Sequence, residues 1–156
     1  MTFQGDSLLP DAALALAEEQ RRKIACTLVL VAAADGALVR EEISAIESAM
    51  GAMMLHPESR EEVRQLLTQP PELDSILDGM EVSAIRIALR DCALLSSVDG
   101  DYDEAELWAL RRIADAGGLT EKELSDILEW VSDSWKLGSK GRSIIALPIP
   151  GDENIV

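Results

Sequence analysis

Apolar residues recur along this chain at intervals of three and four, and nowhere alternate with period two over a useful length. Ile24, Leu28 and Val31 share one helical face and lead into Ala32-Ala33-Ala34, then Asp35-Gly36. Ile43, Ile46 and Met50 mark a second helix, and Pro57 opens a third through Val63, Leu66 and Leu67. A second series follows. Val82, Ile85 and Leu89 begin a helix ending at Val98, Leu107, Leu110 and Ala114 line the next, and Leu124, Ile127, Leu128 and Val131 the one after. Side chains at such spacings lie over one another on a helix, so each series predicts an amphipathic helix with a buried stripe. Glycine directly after a periodic run is a helix stop, because it accepts positive φ without a Cβ clash. Thr120 and Glu123 have capping-box spacing ahead of the last series. The alanine-rich stretch Asp11 to Gln20 reads as helical, leading into the next helix, and Leu73 to Leu77 as a short connecting turn after Pro70-Pro71. From Gly138 the tail SKGRSIIALPIPGDENIV loses the period and holds two prolines, which predicts an extended or flexible segment. The expected class is all-α, about seven helices.

The two series repeat one another. An offset of 64 residues places Asp35-Gly36 on Asp99-Gly100 and Glu42 on Glu106, and pairs Ile43, Ala45, Ile46, Leu55, Val63 and Leu67 with Leu107, Ala109, Leu110, Leu119, Ile127 and Val131 without a gap. Duplication is the favoured reading. It divides one helical domain over residues 1–137 into helix–turn–helix halves at about 24–68 and 88–135, with 138–156 as the tail.

The length of 156 residues suits one domain, and 47% hydrophobic residues suffice for a core without staples. Aromatics at 3% argue against a sandwich or barrel of short strands. Charge narrows the field further, since 29 acids against 14 bases leave a net charge of −15. A nucleic-acid binder needs the opposite field to displace counterions from phosphates, and anionic membrane surfaces are disfavoured for the same reason. Metal cations and basic partners are the natural counterparts. The longest apolar stretch, Ile24 to Ala34, has 11 residues, about half of a membrane span. The N-terminus lacks a signal-peptide pattern, and Cys26 and Cys92 have no CxxC spacing, so a cytoplasmic protein with reduced thiols is expected.

Candidate chemistry gathers at the second Asp-Gly turn. The run Asp99-Gly100-Asp101-Tyr102-Asp103-Glu104-Ala105-Glu106 holds five acids and no base. Alternating aspartates on a turn can aim carboxylate oxygens at one hard cation such as Ca²⁺, with Glu106 closing the shell. A 12-residue EF-hand loop is excluded, because its glycine position is Glu104 and its bidentate glutamate position is Leu110. The competing account is structural: Asp103 and Glu106 have capping-box spacing, and acids favour a helix N-terminus without any metal. Asp99 fits that account less well, lying at a helix end where its charge meets the negative pole; Asp35 has the same placement, with Glu42 seven residues on.

The segments "AAADG" with Glu42, and "SSVDG" with Glu106 and "LRRIADAGGLTEKE", resemble the tellurite-resistance TerB-like family, whose hallmark is an (A)DG-x5-E motif at a helix–turn–helix. The resemblance covers roughly residues 24–135. It implies an all-helical fold, acidic clusters binding calcium or another divalent cation, and a role in stress-response or membrane-linked assemblies rather than catalysis. Asp35, Glu42, Asp99 and Glu106 are the acids it carries over; Asp101 and Asp103 rest on local chemistry alone. The first half departs in having Ala37 and Val39 where the second has Asp101 and Asp103.

Other residues add less. His56, before Pro57, reads as a cap or surface residue, and no Ser-His-Asp or Cys-His set is present locally. Both cysteines fall on apolar helices, zinc lacks further soft ligands, and no phosphate-binding glycine loop appears. No enzyme is expected, a carboxylate-held catalytic metal being the remote exception. Trp108 falls away from the stripe of Leu107, Leu110 and Ala114, and its counterpart at the 64-residue offset is Ser44. It either covers a neighbouring helix or the tail, or anchors a protein partner. The apolar stretch Ile144 to Ile149 either packs back or docks on another subunit, which would make a homo-oligomer. Two readings therefore stand: a cation-binding TerB-like adaptor, and a metal-free interaction domain working through Trp108 and the tail.

Overall fold

A computed structural model describes residues 12–34, 36, 38–97 and 102–146. Within them the chain is all-helical. A 3₁₀ turn (Ala12–Ala15) precedes α1 (Glu18–Ala32), α2 (Arg40–Ala52), α3 (Pro57–Gln65), the one-turn α4 (Leu73–Leu77), α5 (Val82–Ser96), α6 (Glu104–Ala116) and α7 (Glu121–Ile144). α1 and α5 pack against each other at the centre. α2 and α3 lie against α1, α6 and α7 lie against α5, and α4 rests across α1 and α6.

This layout explains why α1 has no polar face in its C-terminal half. Ile24, Ala25, Cys26, Thr27, Leu28, Val29, Val31 and Ala32 are all buried, because neighbours surround the helix. Thr27 is accommodated by donating its hydroxyl to the Lys23 carbonyl one turn back, at 2.8 Å. Alanines at 25, 32, 84, 88 and 93 let the two central helices approach closely while Ile24, Leu89, Leu110 and Ile113 fill the core.

Helix ends follow local rules. Pro57 occupies the first turn of α3, where its missing N–H costs nothing. α2 and α6 end alike: Leu55 donates to the Met50 carbonyl and Met54 to Gly51, as Leu119 does to Ala114 and Gly118 to Asp115. These are Schellman caps, which need a left-handed residue; Gly118 takes φ +70°, and Met54 takes φ 53° despite its side chain. An arginine from the adjoining central helix closes each cap, Arg21 binding the Met53 carbonyl at 2.7 Å and Arg86 the Gly117 carbonyl at 2.9 Å. α5, α6 and α7 each begin 64 residues after α1, α2 and α3.

Three expectations shift. The stretch Asp11 to Gln20 is not one helix: the 3₁₀ turn ends at Ala15, and Ala17 takes extended geometry (ψ 153°) before α1. The helix of the second half ends at Ser96 rather than Val98. The boundary at 138 also moves, because α7 runs through Gly138 and Gly141 to Ile144. Glycine costs a helix interior about 1 kcal/mol relative to alanine. Leu137 and Lys140 are good helix formers, and Lys136, Lys140 and Arg142 lie toward the negative end of the dipole. Residues 147–156, the rest of the expected tail, lie outside the described residues.

Candidate functional site

Asp103 is the N-cap of α6. Its carboxylate accepts the Glu106 N–H at 2.8 Å, and the Glu106 carboxylate accepts the Asp103 N–H at 3.0 Å, a complete capping box. Glu106 is only 8% exposed, an unusual burial for a carboxylate. Tyr102 lies beside it. Burial holds the phenol above its usual range and the Glu106 charge adds to this, while its hydroxyl donates to the Ala93 carbonyl of α5 at 3.0 Å. In the first half Glu42 repeats half of the motif, accepting the Val39 N–H at 3.0 Å, since valine has no oxygen to return. Asp103, Glu106 and Glu42 therefore all act at helix N-termini. Asp35, Asp99 and Asp101 lie outside the described residues. Among the described residues no group of three or more His, Cys, Asp or Glu side chains is gathered as metal ligands would be.

His56 is the N-cap residue of α3, exposed, and its backbone N–H donates to the Glu18 carboxylate at 2.9 Å. Burial raises the Glu18 pKa, but that hydrogen bond, a further one with Ser59 and the charge of Arg21 outweigh it and hold the group below the usual carboxylate range. Cys26 and Cys92 are free and buried, and burial pushes both thiols up. A thiol in that state is a poor nucleophile at neutral pH.

Trp108 is 63% exposed. It borders a cleft of about 550 Å³ lined by Leu30 of α1, Pro70, Pro71, Leu73 of α4, and Ala105 and Ala109 of α6. Most of the ring faces solvent, beside a concave surface of mixed polarity to which Glu72 also contributes. α4 is held at the cleft by Asp74, which pairs with Arg112 of α6 at 2.8 Å. Ile144 and Ile145, at the end of α7, are 76% and 65% exposed.

A second concavity, about 460 Å³, opens between α2 and α5, lined by Leu28, Ala45, Ala49, Met53, Leu94 and Trp135. The indole N–H of Trp135 donates to the Ser97 hydroxyl, fixing the ring at its edge. Sequence reasoning did not single out this groove or Trp135. Its residues come from four helices, and only the long course of α7 brings Trp135 to α5.

Comparison with protein-family models, curated proteins and solved structures finds no match to this chain. Among the described residues, no helix is long and apolar enough to cross a membrane.

Proposed function

We propose that this protein is a non-enzymatic interaction domain that binds a protein segment in the cleft bordered by Trp108. The observation that carries this reading is the 63% exposure of that indole beside a cleft of mixed polarity, with Ser44 at the equivalent place on α2. Tryptophan is the residue most often found as an interface anchor, because it contributes a large apolar area at a low entropic cost. Buried free thiols fit a reducing, cytoplasmic setting. Partners from a lysate of the source cells, captured on immobilised protein, provide the test. Trp108→Ala is expected to abolish capture while changing folding stability by no more than about 0.5 kcal/mol, as exposed substitutions do. Undiminished capture by the variant would refute the role of Trp108.

A cation-binding reading, with the TerB-like adaptor role that the (A)DG-x5-E resemblance implies, keeps one supporting observation. Glu42 and Glu106 both fold back toward the backbone of the turn preceding their helix, and those turns follow the segments carrying Asp35 and Asp99 to Asp101. Calcium at ten times its dissociation constant would add about 1.4 kcal/mol and raise the melting temperature by roughly 3–5 °C. Asp101→Asn should lose that response. A wild-type melt identical in chelator and in calcium, magnesium or manganese eliminates the cation reading and leaves the interaction domain.

A further inference from the structure

α7 carries apolar residues on a side that its own chain leaves open. Trp130, Leu137 and Ile144 are 47%, 71% and 76% exposed and follow one another at intervals of seven. Seven residues make nearly two helical turns, so the three form a stripe that drifts by about 20° per step. That stripe lies about 100° around the helix from Val131, which is buried and faces the core with Leu124. Ser134 and Gly141, both small, sit between the large residues along the same edge, and half-buried Ile127 extends the row toward the start of the helix. Ile127, Trp130, Ser134, Leu137, Gly141 and Ile144 thus recur at alternating intervals of three and four, the spacing of a seam between two coiled helices.

Charge along the helix selects the occupant. Residues 121–133 hold five acids and one base, a net −4, whereas residues 134–146 hold Lys136, Lys140 and Arg142 and no acid, a net +3. A second copy laid antiparallel covers each acidic half with a basic one, while a parallel copy would set like charges together. We propose that the protein forms a homodimer through an antiparallel pair of α7 helices, an interface that uses none of the residues lining the Trp108 cleft. In that pairing large residues meet small ones. Trp130 faces Gly141 of the partner subunit, Leu137 faces Ser134 of the partner subunit, and Ile144 faces Ile127 of the partner subunit. Asp133 and Lys140 are exposed, seven residues apart, on one flank of the seam. Like flanks meet in an antiparallel pair, so Asp133 faces the partner's Lys140 and Lys140 faces the partner's Asp133. Helices gain most of their stability by packing an apolar face, and the pairing provides this to the outer half of α7, which within one chain rests mainly on propensity.

Sedimentation velocity over a range of protein concentrations reads the pairing. The wild type should reach twice the monomer mass with a dissociation constant of roughly 1–100 µM, as suits a small interface. Leu137→Lys should raise that constant about tenfold or more, and Leu137 is exposed enough in the monomer for the variant to fold normally. Lys140→Glu and Asp133→Lys should each weaken self-association, because each makes both flank contacts of the homodimer like-charged. Mixed in equal amounts, the two variants should form a heterodimer at least as tight as the wild-type dimer, since both contacts are then of opposite sign. A wild type that stays monomeric at about 1 mM overturns the inference. So does a dimer that Leu137→Lys leaves intact, or a mixture no tighter than its components, which would exclude the antiparallel register. A monomeric wild type that dimerises once residues 147–156 are removed would also overturn it, giving the seam to the C-terminal segment.

Discussion

At the scale of single residues, the ends of α2 and α6 solve the same problem at different cost. Met54 and Gly118 both close a helix in left-handed geometry, but a side chain at φ > 0 costs roughly 1–2 kcal/mol that glycine avoids. Met54 is 67% exposed, so it recovers little of this by packing. Met54→Gly is therefore expected to raise stability by about 1 kcal/mol in urea denaturation, less the extra entropy that glycine gives the unfolded chain. A destabilised variant would show that the methionine side chain contributes more than its exposure implies. The same scale separates the acids. Asp103 and Glu106 could be paired as a capping box from their spacing, and they form one. The role of Glu18, which joins the start of α1 to the start of α3 through the His56 N–H, was not legible, because its partner is 38 residues away.

At the scale of elements, α3 and α7, which begin 64 residues apart, differ most in length. α3 stops after 9 residues, whereas α7 continues for 24. The period of apolar residues fades after Val131 because the outer half of α7 has little to pack against, not because the helix ends. Beyond Trp135, which still reaches Ser97 of α5, stability depends mainly on propensity, which makes Gly138 and Gly141 sensitive positions. A Cβ at Gly141 meets nothing within 4 Å, and at Gly138 only the Arg142 guanidinium at 3.8 Å. Gly141→Ala and Gly138→Ala should each stabilise the helix by about 0.5–1 kcal/mol and increase helical circular dichroism. No increase in either variant would place the helix end before Gly138, as its sequence period implies.

At the scale of the molecule, electrostatics sets two opposing trends. A net charge of −15 at neutral pH repels itself in the compact state, so added salt should raise the urea midpoint. Particular carboxylates act the other way. Glu47 is held below the usual range by its hydrogen bonds with Arg64 at 2.8 and 3.0 Å, and Glu18 by the contacts described above. A carboxylate whose pKa is lower folded than unfolded stabilises the fold above its unfolded value of about 4.3, and that contribution is lost as pH falls through the folded value. Glu18→Gln should therefore cost about 0.5–1 kcal/mol at pH 7, the range for a partly exposed pair with a hydrogen bond. In acid, once the wild-type carboxylate is protonated, the two proteins should converge. A deficit that persisted unchanged in acid would mean that packing, not charge, is what the glutamine disturbs.

What the sequence by itself determined is the local part of this structure. Helical class, the Pro57 start, the Thr120 and Asp103 capping boxes, and the outward position of Trp108 are all set within a few residues. Hydrogen bonds to near neighbours and the 3.6-residue period decide them whatever else the chain does. The tertiary structure decided everything that depends on which helices meet. It made α1 and α5 the buried pair, which is why α1 carries a continuous apolar run in place of a stripe. It laid α4 against α6 through Asp74 and Arg112, forming the cleft beneath Trp108. It also brought Trp135 to Ser97 and opened the groove between α2 and α5, since burial of a surface depends on a partner element that no local pattern specifies.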